Sequence, residues 1–184
     1  MRLETERLVL RPWEERDRDD LIAVQCDPEV RRFFPNVPSP EQVSEDFDAA
    51  LQKTKDNGFH FGSARLKQDD AFVGLIGIGL APDDVREAVP SHPQVEIGWV
   101  FAKRFWGQGL APEGAAAWLS YAWSIGLPDV VAFTAAINLP SQRVVTKIGM
   151  TRESADDFIH PRIDEGHPLR PHVLYRIVNP DAPR

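Results

Sequence analysis

The stretch Glu96-Ile-Gly-Trp-Val-Phe-Ala-Lys-Arg-Phe-Trp-Gly-Gln-Gly-Leu-Ala-Pro-Glu113 decides how this chain folds. With Val95 in front, it opens as a β-branched and aromatic run to Phe101, the composition of a buried strand. It closes as a helix start, with Pro112 and Glu113 in first-turn positions ahead of Ala115, Ala116 and Ala117. Between the two lies Trp106-Gly107-Gln108-Gly109-Leu110-Ala111, a tight turn with two glycines and no acidic residue. Strand, glycine turn and helix N-terminus make a site for a phosphate. Backbone N–H groups point outward, glycine lets a ligand approach, and the helix dipole favours an anion. The same turn also serves as plain connection elsewhere, so alone it names no ligand.

Outward from this stretch, the N-terminal half reads in order. Thr5 to Leu10 alternates Leu8 and Leu10 with polar neighbours and stops at Pro12, which predicts a first strand. Trp13 to Gln25 reads as a helix ended by Asp27-Pro28. Phe33-Phe34-Pro35-Asn36-Val37-Pro38 is a loop. Ser39-Pro40-Glu41-Gln42 caps a second helix that runs to about Lys55 and is broken by Asn57-Gly58. Phe59 to Lys67 and Ala71 to Leu80 form a hairpin through Gln68-Asp69-Asp70. Gly74, Gly77 and Gly79 mark a bulge or a close backbone approach in its second strand.

Residues 81–93, with Pro82, Pro90 and Pro93, read as a loop. A helix from Pro112 to Ile125 is capped by Gly126. A strand from Val130 to Ile137 follows, then a short helix from Pro140-Ser141 to Gly149. Two last strands, Met150 to Phe158 and Pro171 to Val178, close the chain. This order predicts a mixed α/β domain around one sheet of about seven strands and four helices, a single domain over 1–184.

The totals narrow the function. A chain of 184 residues with 42% hydrophobic and 27% charged residues suits one globular domain. No apolar run approaches the ~20 residues of a membrane span, and the first residues do not read as a signal peptide. With a single cysteine, Cys26, these features lead us to expect a cytoplasmic protein with no internal disulfide and no membrane partner. The net charge of −7 argues against a nucleic-acid surface. His160, His167 and His172 fit no common zinc spacing, so no metal is expected.

Four local patterns together resemble the GNAT superfamily of acetyl-coenzyme A-dependent N-acetyltransferases. They are Thr5-Glu6-Arg7-Leu8-Val9-Leu10-Arg11-Pro12, Glu96 to Phe101, Trp106 to Ala111, and Asn138, Ser141, Lys147 and Gly149-Met150. The first is similar to the opening strand of the branch that acetylates ribosomal-protein N-termini and related amines (RimJ/RimL-like). The resemblance spans nearly the whole chain and implies a single, mostly antiparallel, twisted sheet. It implies acetyl-coenzyme A as co-substrate and an amine acceptor, a peptide N-terminus or a small molecule. It also implies a pyrophosphate cradle at Gln108, Gly109, Leu110 and Ala111. Backbone groups of Trp99, Val100 and Phe101 would meet the pantetheine arm, with Asn138 and Ser141 on the opposite wall. Lys103 and Arg104 stand near the cradle and would add charge there.

Acetyl transfer to an amine needs a proton acceptor, an oxyanion donor and a way for the thiolate to leave. Glu96 is the candidate base, directly or by orienting a water, the alternative being a sheet-edge glutamate paired with an arginine. It shares a strand face with Val100, and its apolar surroundings should raise its pKa. The N–H of Val100 or Phe101 would meet the oxyanion. Where many relatives carry a tyrosine, this chain has Val145, so Ser141 is the remaining candidate acid. The acceptor site is expected from Phe33 to Asn36, the 81–93 loop, and Asp156 to His172. Asp156, Asp157, Asp164 and Glu165 could attract an ammonium group or form a solvated acidic face. A longer acyl group, or a fold that binds coenzyme A or a peptide without turnover, is the alternative. The sequence leaves monomer and homodimer open.

Overall fold

The computed structural model describes residues 1–57 and 61–182, with side chains throughout except at 53–57. One sheet carries the domain. Its strands are β1 (Leu3–Glu4), β2 (Leu8–Arg11), β3 (Gly62–Leu66), β4 (Phe72–Leu80), β5 (Val95–Phe101), β6 (Asp129–Ala135), β7 (Thr151–Arg152), β8 (Phe158–Ile159) and β9 (Pro171–Val178). They run in the order β1-β2-β3-β4-β5-β6-β9-β7, with β8 also on β9. Every pairing is antiparallel except β5 with β6.

Five α-helices accompany the sheet among the described residues: α1 (Arg18–Gln25), α2 (Pro40–Asn57), α3 (Asp83–Ala88), α4 (Leu110–Ser124) and α5 (Leu139–Lys147). Alternation along the strands sorts them onto two faces. Ile76, Ile97 and Phe101 turn toward α4, where Leu110, Ala115, Trp118, Leu119 and Ala122 complete the main core. The opposite face receives α1 and α2 through Trp13, Leu21, Val24, Val43 and Phe47, with Phe72 and Val100 beneath them.

Several expectations are corrected by tertiary packing. The 81–93 loop contains α3. Pro82 stands at its N-cap, Asp83 and Asp84 fill its first turn, and Val85 and Val89 bury against Val131, Phe158 and Leu174. The single strand expected from Met150 to Phe158 is broken into β7 and β8. Between them Ser154–Asp156 form a 3-10 turn in which buried Asp156 accepts bonds from the Ser91 N–H and hydroxyl. With the short β1, these account for nine strands and five helices where about seven and four were expected. The helix expected from Trp13 starts later, after a 3-10 turn at Glu15–Asp17. The expected opening of β3's strand at Phe59 lies outside the described residues.

Gly74 is the close approach foreseen in the hairpin. Its φ is +149°, and a Cβ there would stand 2.2 Å from the Val100 carbonyl oxygen. The bulge lies beside it, where the register against β3 shifts between Ala64 and Arg65. Among the described residues no helix is long and apolar enough to cross a membrane.

Candidate active site

Seven residue pairs hold β5 to β4, and seven hold β6 to β9. Between β5 and β6 there is one, Glu96 with Val131. Beyond that pair the two parallel strands part, and a cleft of about 830 Å³ opens in the middle of the sheet. Two bonds flanking the β4–β5 ladder fix which way β5 presents its backbone. The Ala81 N–H donates to Gln94 O at 2.9 Å, and the Ala102 N–H to Val73 O at 2.8 Å. Even-numbered residues therefore turn their backbone groups to β4, and odd-numbered ones to β6. Val100 is spent on β4, so of the two expected oxyanion donors only Phe101 points into the gap, joined by Trp99. The Phe101 carbonyl already accepts the Trp106 indole N–H at 2.7 Å.

Strand β5 leads into the glycine turn. Gly107 and Gly109 have φ of +74° and +78°, the left-handed region that glycine adopts at least cost. Gly109 is the N-cap of α4 with no side-chain cap, and Pro112 brings no N–H to the first turn. No acceptor among the described residues takes the N–H groups of Gly109, Leu110 or Ala111. An uncapped helix start with two left-handed glycines leaves N–H groups that can receive a phosphate oxygen.

The one acid in that first turn, Glu113, is turned away from the cradle. It accepts the Arg7 N–H at 2.8 Å and the Arg7 Nε–H at 2.7 Å, and bonds the Thr5 hydroxyl. A second branch of the Arg7 guanidinium donates to Gln108 O at 2.8 Å. Thr5 and Arg7 thus brace the turn from the connection between β1 and β2. Sequence spacing of more than a hundred residues hid this contact. Arg143 and Lys147 on α5 line the same cleft and pair with no carboxylate among the described residues. Lys103 and Arg104 do not line it. Lys103 pairs with Glu29 at 3.1 Å, and Arg104 stacks on Phe105.

Glu96, Trp99, Val100, Phe101, Gly109, Leu110, Ala111, Asn138 and Ser141 all line this cleft. Gln108 does not. Its side chain turns back to Arg104 O at 2.8 Å. Asn138 caps α5 by accepting the Ser141 N–H at 3.3 Å, while its amide donates to Thr134 Oγ1 at 2.9 Å. Helix α5 sets Ser141 and Val144 on the cleft wall and buries Val145 in the core.

Glu96 rises where β5 and β6 part, on the face away from α4. The ring of Phe61 covers the backbone on both sides of it. A Cβ on Gly98 would stand 3.1 Å from that ring, and one on Gly79, Glu96's partner on β4, 3.2 Å. The Glu96 carboxyl makes no hydrogen bond or close ion pair among the described residues. Burial pushes its carboxyl up to about 7, with the charge of Arg162 pulling the other way. Phe61 shares its face, whereas the neighbouring Ile97 and Trp99 turn to the other. Glu96 is thus half-protonated near neutrality, a state suited to accepting a proton.

Residues 7–151 match the family described as the acetyltransferase (GNAT) domain. The chain belongs to the GNAT acetyltransferase family. It is an acetyltransferase of the kind that uses an acyl-coenzyme A donor. The uncharacterized N-acetyltransferase YnaD of Bacillus subtilis is 29% identical over 179 residues, 97% of each chain. A GNAT-family acetyltransferase structure from Bacillus anthracis superposes with a TM-score of 0.79 at 27% identity, covering 97% of this chain and 99% of that one. The ribosomal L7/L12 α-N-protein acetyltransferase RimL, solved with coenzyme A, shares the fold at a TM-score of 0.74 and 15% identity, covering 97% of this chain and 98% of its own.

Replacing Gly109 by Asp sets a carboxylate in the cradle and strains a left-handed backbone. Acetyl-coenzyme A affinity should fall at least ~100-fold by calorimetry, since the cradle attracts chiefly by dipole and N–H groups. Micromolar binding retained by this variant would place the phosphates elsewhere.

The three segments expected to build the acceptor site all reach the cleft. Phe33, Phe34, Pro35 and Asn36 come from the first, Pro82 and Val85 from the second, and His160, Arg162, Ile163 and His172 from the third. The expected acidic attraction is overturned. Asp156 is buried against Ser91 and Arg176, Asp157 pairs with Arg152, and neither Asp164 nor Glu165 lines the cleft.

His160 and His172 lie 4.7 Å apart between ring centroids, packed with Phe133 and Phe158. Burial holds both imidazoles below the ordinary range, His172 at about 4, so they are neutral at pH 7. Among the described residues no cluster of three or more His, Cys, Asp or Glu is placed to hold a metal ion.

Proposed function

We propose that this protein moves the acetyl group of acetyl-coenzyme A onto a primary amine by direct attack, with both substrates bound together. One observation carries the reading. Glu96, its carboxyl near 7, stands at the mouth of the β5–β6 opening, in the same cleft as the uncapped glycine turn. The donor supplies a thioester.

The chain supplies the rest. The amides of Gly109, Leu110 and Ala111 hold phosphate, assisted by Arg143 and Lys147. Trp99 offers unpaired backbone groups to an amide-bearing arm. Glu96 takes the ammonium proton and frees the nitrogen lone pair to form the N–C bond. The N–H groups of Trp99 and Phe101, turned into the gap, are the donors available to the developing oxyanion. As the C–S bond breaks, the adduct nitrogen gives its second proton to solvent or to the departing sulfur, whose solution pKa near ~8.5 lets it leave with little assistance. Ser141 is the hydroxyl on the α5 wall that can deliver a proton, since Val144 beside it has none to give.

The test is a screen of alkylamines, amino acids and N-terminal peptides with acetyl-coenzyme A, following free thiol and confirming the N-acetyl product by mass. Thiol release that depends on an amine is the expected result. Coenzyme binding with no release from any amine would make the chain a binding module. Faster release from longer acyl thioesters would reassign the donor.

A further inference from the structure

The chain is acidic, with a net charge of −7, yet its cleft is the reverse. Arg31, Arg32, Arg143, Lys147 and Arg162 line it, and among the described residues the one carboxylate lining it is Glu96. Arg143 and Lys147 lie on α5, on the wall that carries Ser141. The other three lie where Phe33–Asn36 and the 160–163 segment roof the gap above β5 and β6.

Arg31 and Arg32 are held in a way that leaves their charge unspent. Arg31 is half-buried. Its Nε–H donates to Asn36 O at 3.2 Å and another N–H to Gln25 Oε1 at 3.1 Å, and its guanidinium stacks 3.8 Å from the Phe34 ring centroid. Every acceptor is neutral, and no carboxylate lies within ion-pair distance among the described residues. Burial accordingly holds the Arg31 guanidinium below its ordinary value. Arg32 donates to Glu29 O at 2.9 Å and lies between Phe33 and Trp106, with centroids 4.8 and 4.4 Å away. A stacked guanidinium is pre-organised and weakly hydrated, and it keeps its outer N–H groups for an anion. Phe33 packs on Ala135, Ile163 and Leu169, so the pair is fixed against the other side of the roof. Arg162 on that side is paired with Asp84.

We infer that the acceptor is an amine that also carries a carboxylate, its ammonium group brought to Glu96 and its carboxylate to Arg31 and Arg32. This rests on the acetyl-transfer reading for the fate of the amine and adds the class of molecule that enters. A cationic polyamine would meet two guanidiniums, Arg31 and Arg32, that no carboxylate among the described residues offsets, with Arg162 already paired to Asp84. A free amino acid and a peptide with an acidic residue near its N-terminus share the required chemistry.

The experiment compares matched acceptors: β-alanine, β-alaninamide and 1,3-diaminopropane, and the dipeptide amides Ser-Asp and Ser-Lys. Acetylation is followed by thiol release with the wild type, Arg31→Gln, Arg32→Gln and Arg32→Glu. Arg32 is exposed, so its variants should fold even if Arg31→Gln does not. We expect kcat/KM at least ~10-fold higher for β-alanine than for its amide or the diamine, or for Ser-Asp than for Ser-Lys. Whichever pair shows the larger ratio identifies the source. Arg32→Gln should erase most of that ratio through the acceptor KM, and Arg32→Glu should invert it, with the acetyl-coenzyme A KM within twofold of wild type. A structural role for these arginines would not sort acceptors by charge.

Equal or better turnover of neutral or cationic amines overturns the inference and leaves acetyl transfer standing. So does a rise in acetyl-coenzyme A KM with acceptor preference unchanged, which would assign the arginines to the coenzyme. Calorimetry of the same acceptors on the coenzyme A complex separates the two ideas. Carboxylate-selective binding without any turnover would refute acetyl transfer and keep the acceptor class.

Discussion

Glu96→Gln should lower kcat/KM by roughly 10²–10³ at pH 7, the range a positioned general base contributes, and the deficit should shrink as pH rises. The pH dependence follows from two titrations. An alkylamine with a pKa near ~10 is about one part in a thousand neutral at pH 7. The wild type works on the abundant ammonium form once Glu96 is ionised, so its kcat/KM should rise to about pH 7 and then level until the amine itself titrates. The variant must wait for free amine. Its rate should climb about tenfold per pH unit and approach wild type near pH 10. A variant with the wild-type profile and a rate within twofold would remove Glu96 from the chemistry.

The same substitution should stabilise the fold, which a glutamate held in a stabilising ion pair would not allow. The folded carboxyl titrates at about 7 and the ordinary one at 4.5. The native state therefore holds a proton that the unfolded state releases between those values, and stability falls as pH rises through that window. Glutamine carries no such penalty. Denaturant unfolding at pH 8 should show Glu96→Gln more stable by up to ~3 kcal/mol, and the two proteins should converge below pH 4.5. Loss of rate with gain of stability is the signature of a group held against its preference for a task.

Much of this site was legible because its parts are local. Val95 to Phe101 reads as a strand from composition, and the glycines that must adopt positive φ are themselves visible in Trp106 to Ala111. What was hidden depends on contacts distant in sequence. Nothing near Glu113 announces that Arg7 and Thr5 hold it away from the cradle. Pro82, Pro90 and Pro93 spoke for a loop, but burial of Val85 and Val89 beneath β6 outweighed them and made α3. The acids of 156–165 looked like bait for an ammonium group until Ser91, Arg152 and Arg176 claimed Asp156 and Asp157. Arg31 and Arg32 pass in the sequence for ordinary surface charge, because only the fold turns them over the cleft.

The position of that roof depends on a buried ion cluster. Asp17→Asn should therefore be the most damaging change outside the cleft, costing about 3–5 kcal/mol. Asp17 is fully buried just ahead of α1, the helix that leads to Arg31 and Arg32. Its Oδ2 accepts from Arg11 at 2.7 Å and from the Glu14 N–H at 2.9 Å. Its Oδ1 accepts from a second Arg11 nitrogen at 3.0 Å and from Arg65 at 2.8 and 3.0 Å. Arg11 and Arg65 are 5% and 7% exposed, on β2 and β3. One carboxylate thus pins the start of α1 to two strands and offsets two buried cations.

Asparagine nearly preserves the volume. It removes the charge and points an N–H₂ at a guanidinium, leaving the two buried cations only exposed carboxylates, Glu14 for Arg11 at 3.3 Å and Asp20 for Arg65 at 2.6 Å. In a domain of this size the loss should lower Tm by about 10 °C. Burial pushes the Asp17 carboxyl up, while the Arg11 guanidinium, the Glu14 N–H and Arg65 pull it further down, so it titrates below its ordinary value of 3.8. The folded pKa is depressed, so its contribution is complete above about pH 4 and is lost as pH falls through the folded value. The wild type should lose stability steeply below pH 4, and Asp17→Asn should lack that part of the acid limb. A cost under ~1 kcal/mol by denaturant unfolding with an unchanged m-value would mean that Arg11 and Arg65 find other partners. The pin would then be dispensable for holding α1 and the roof.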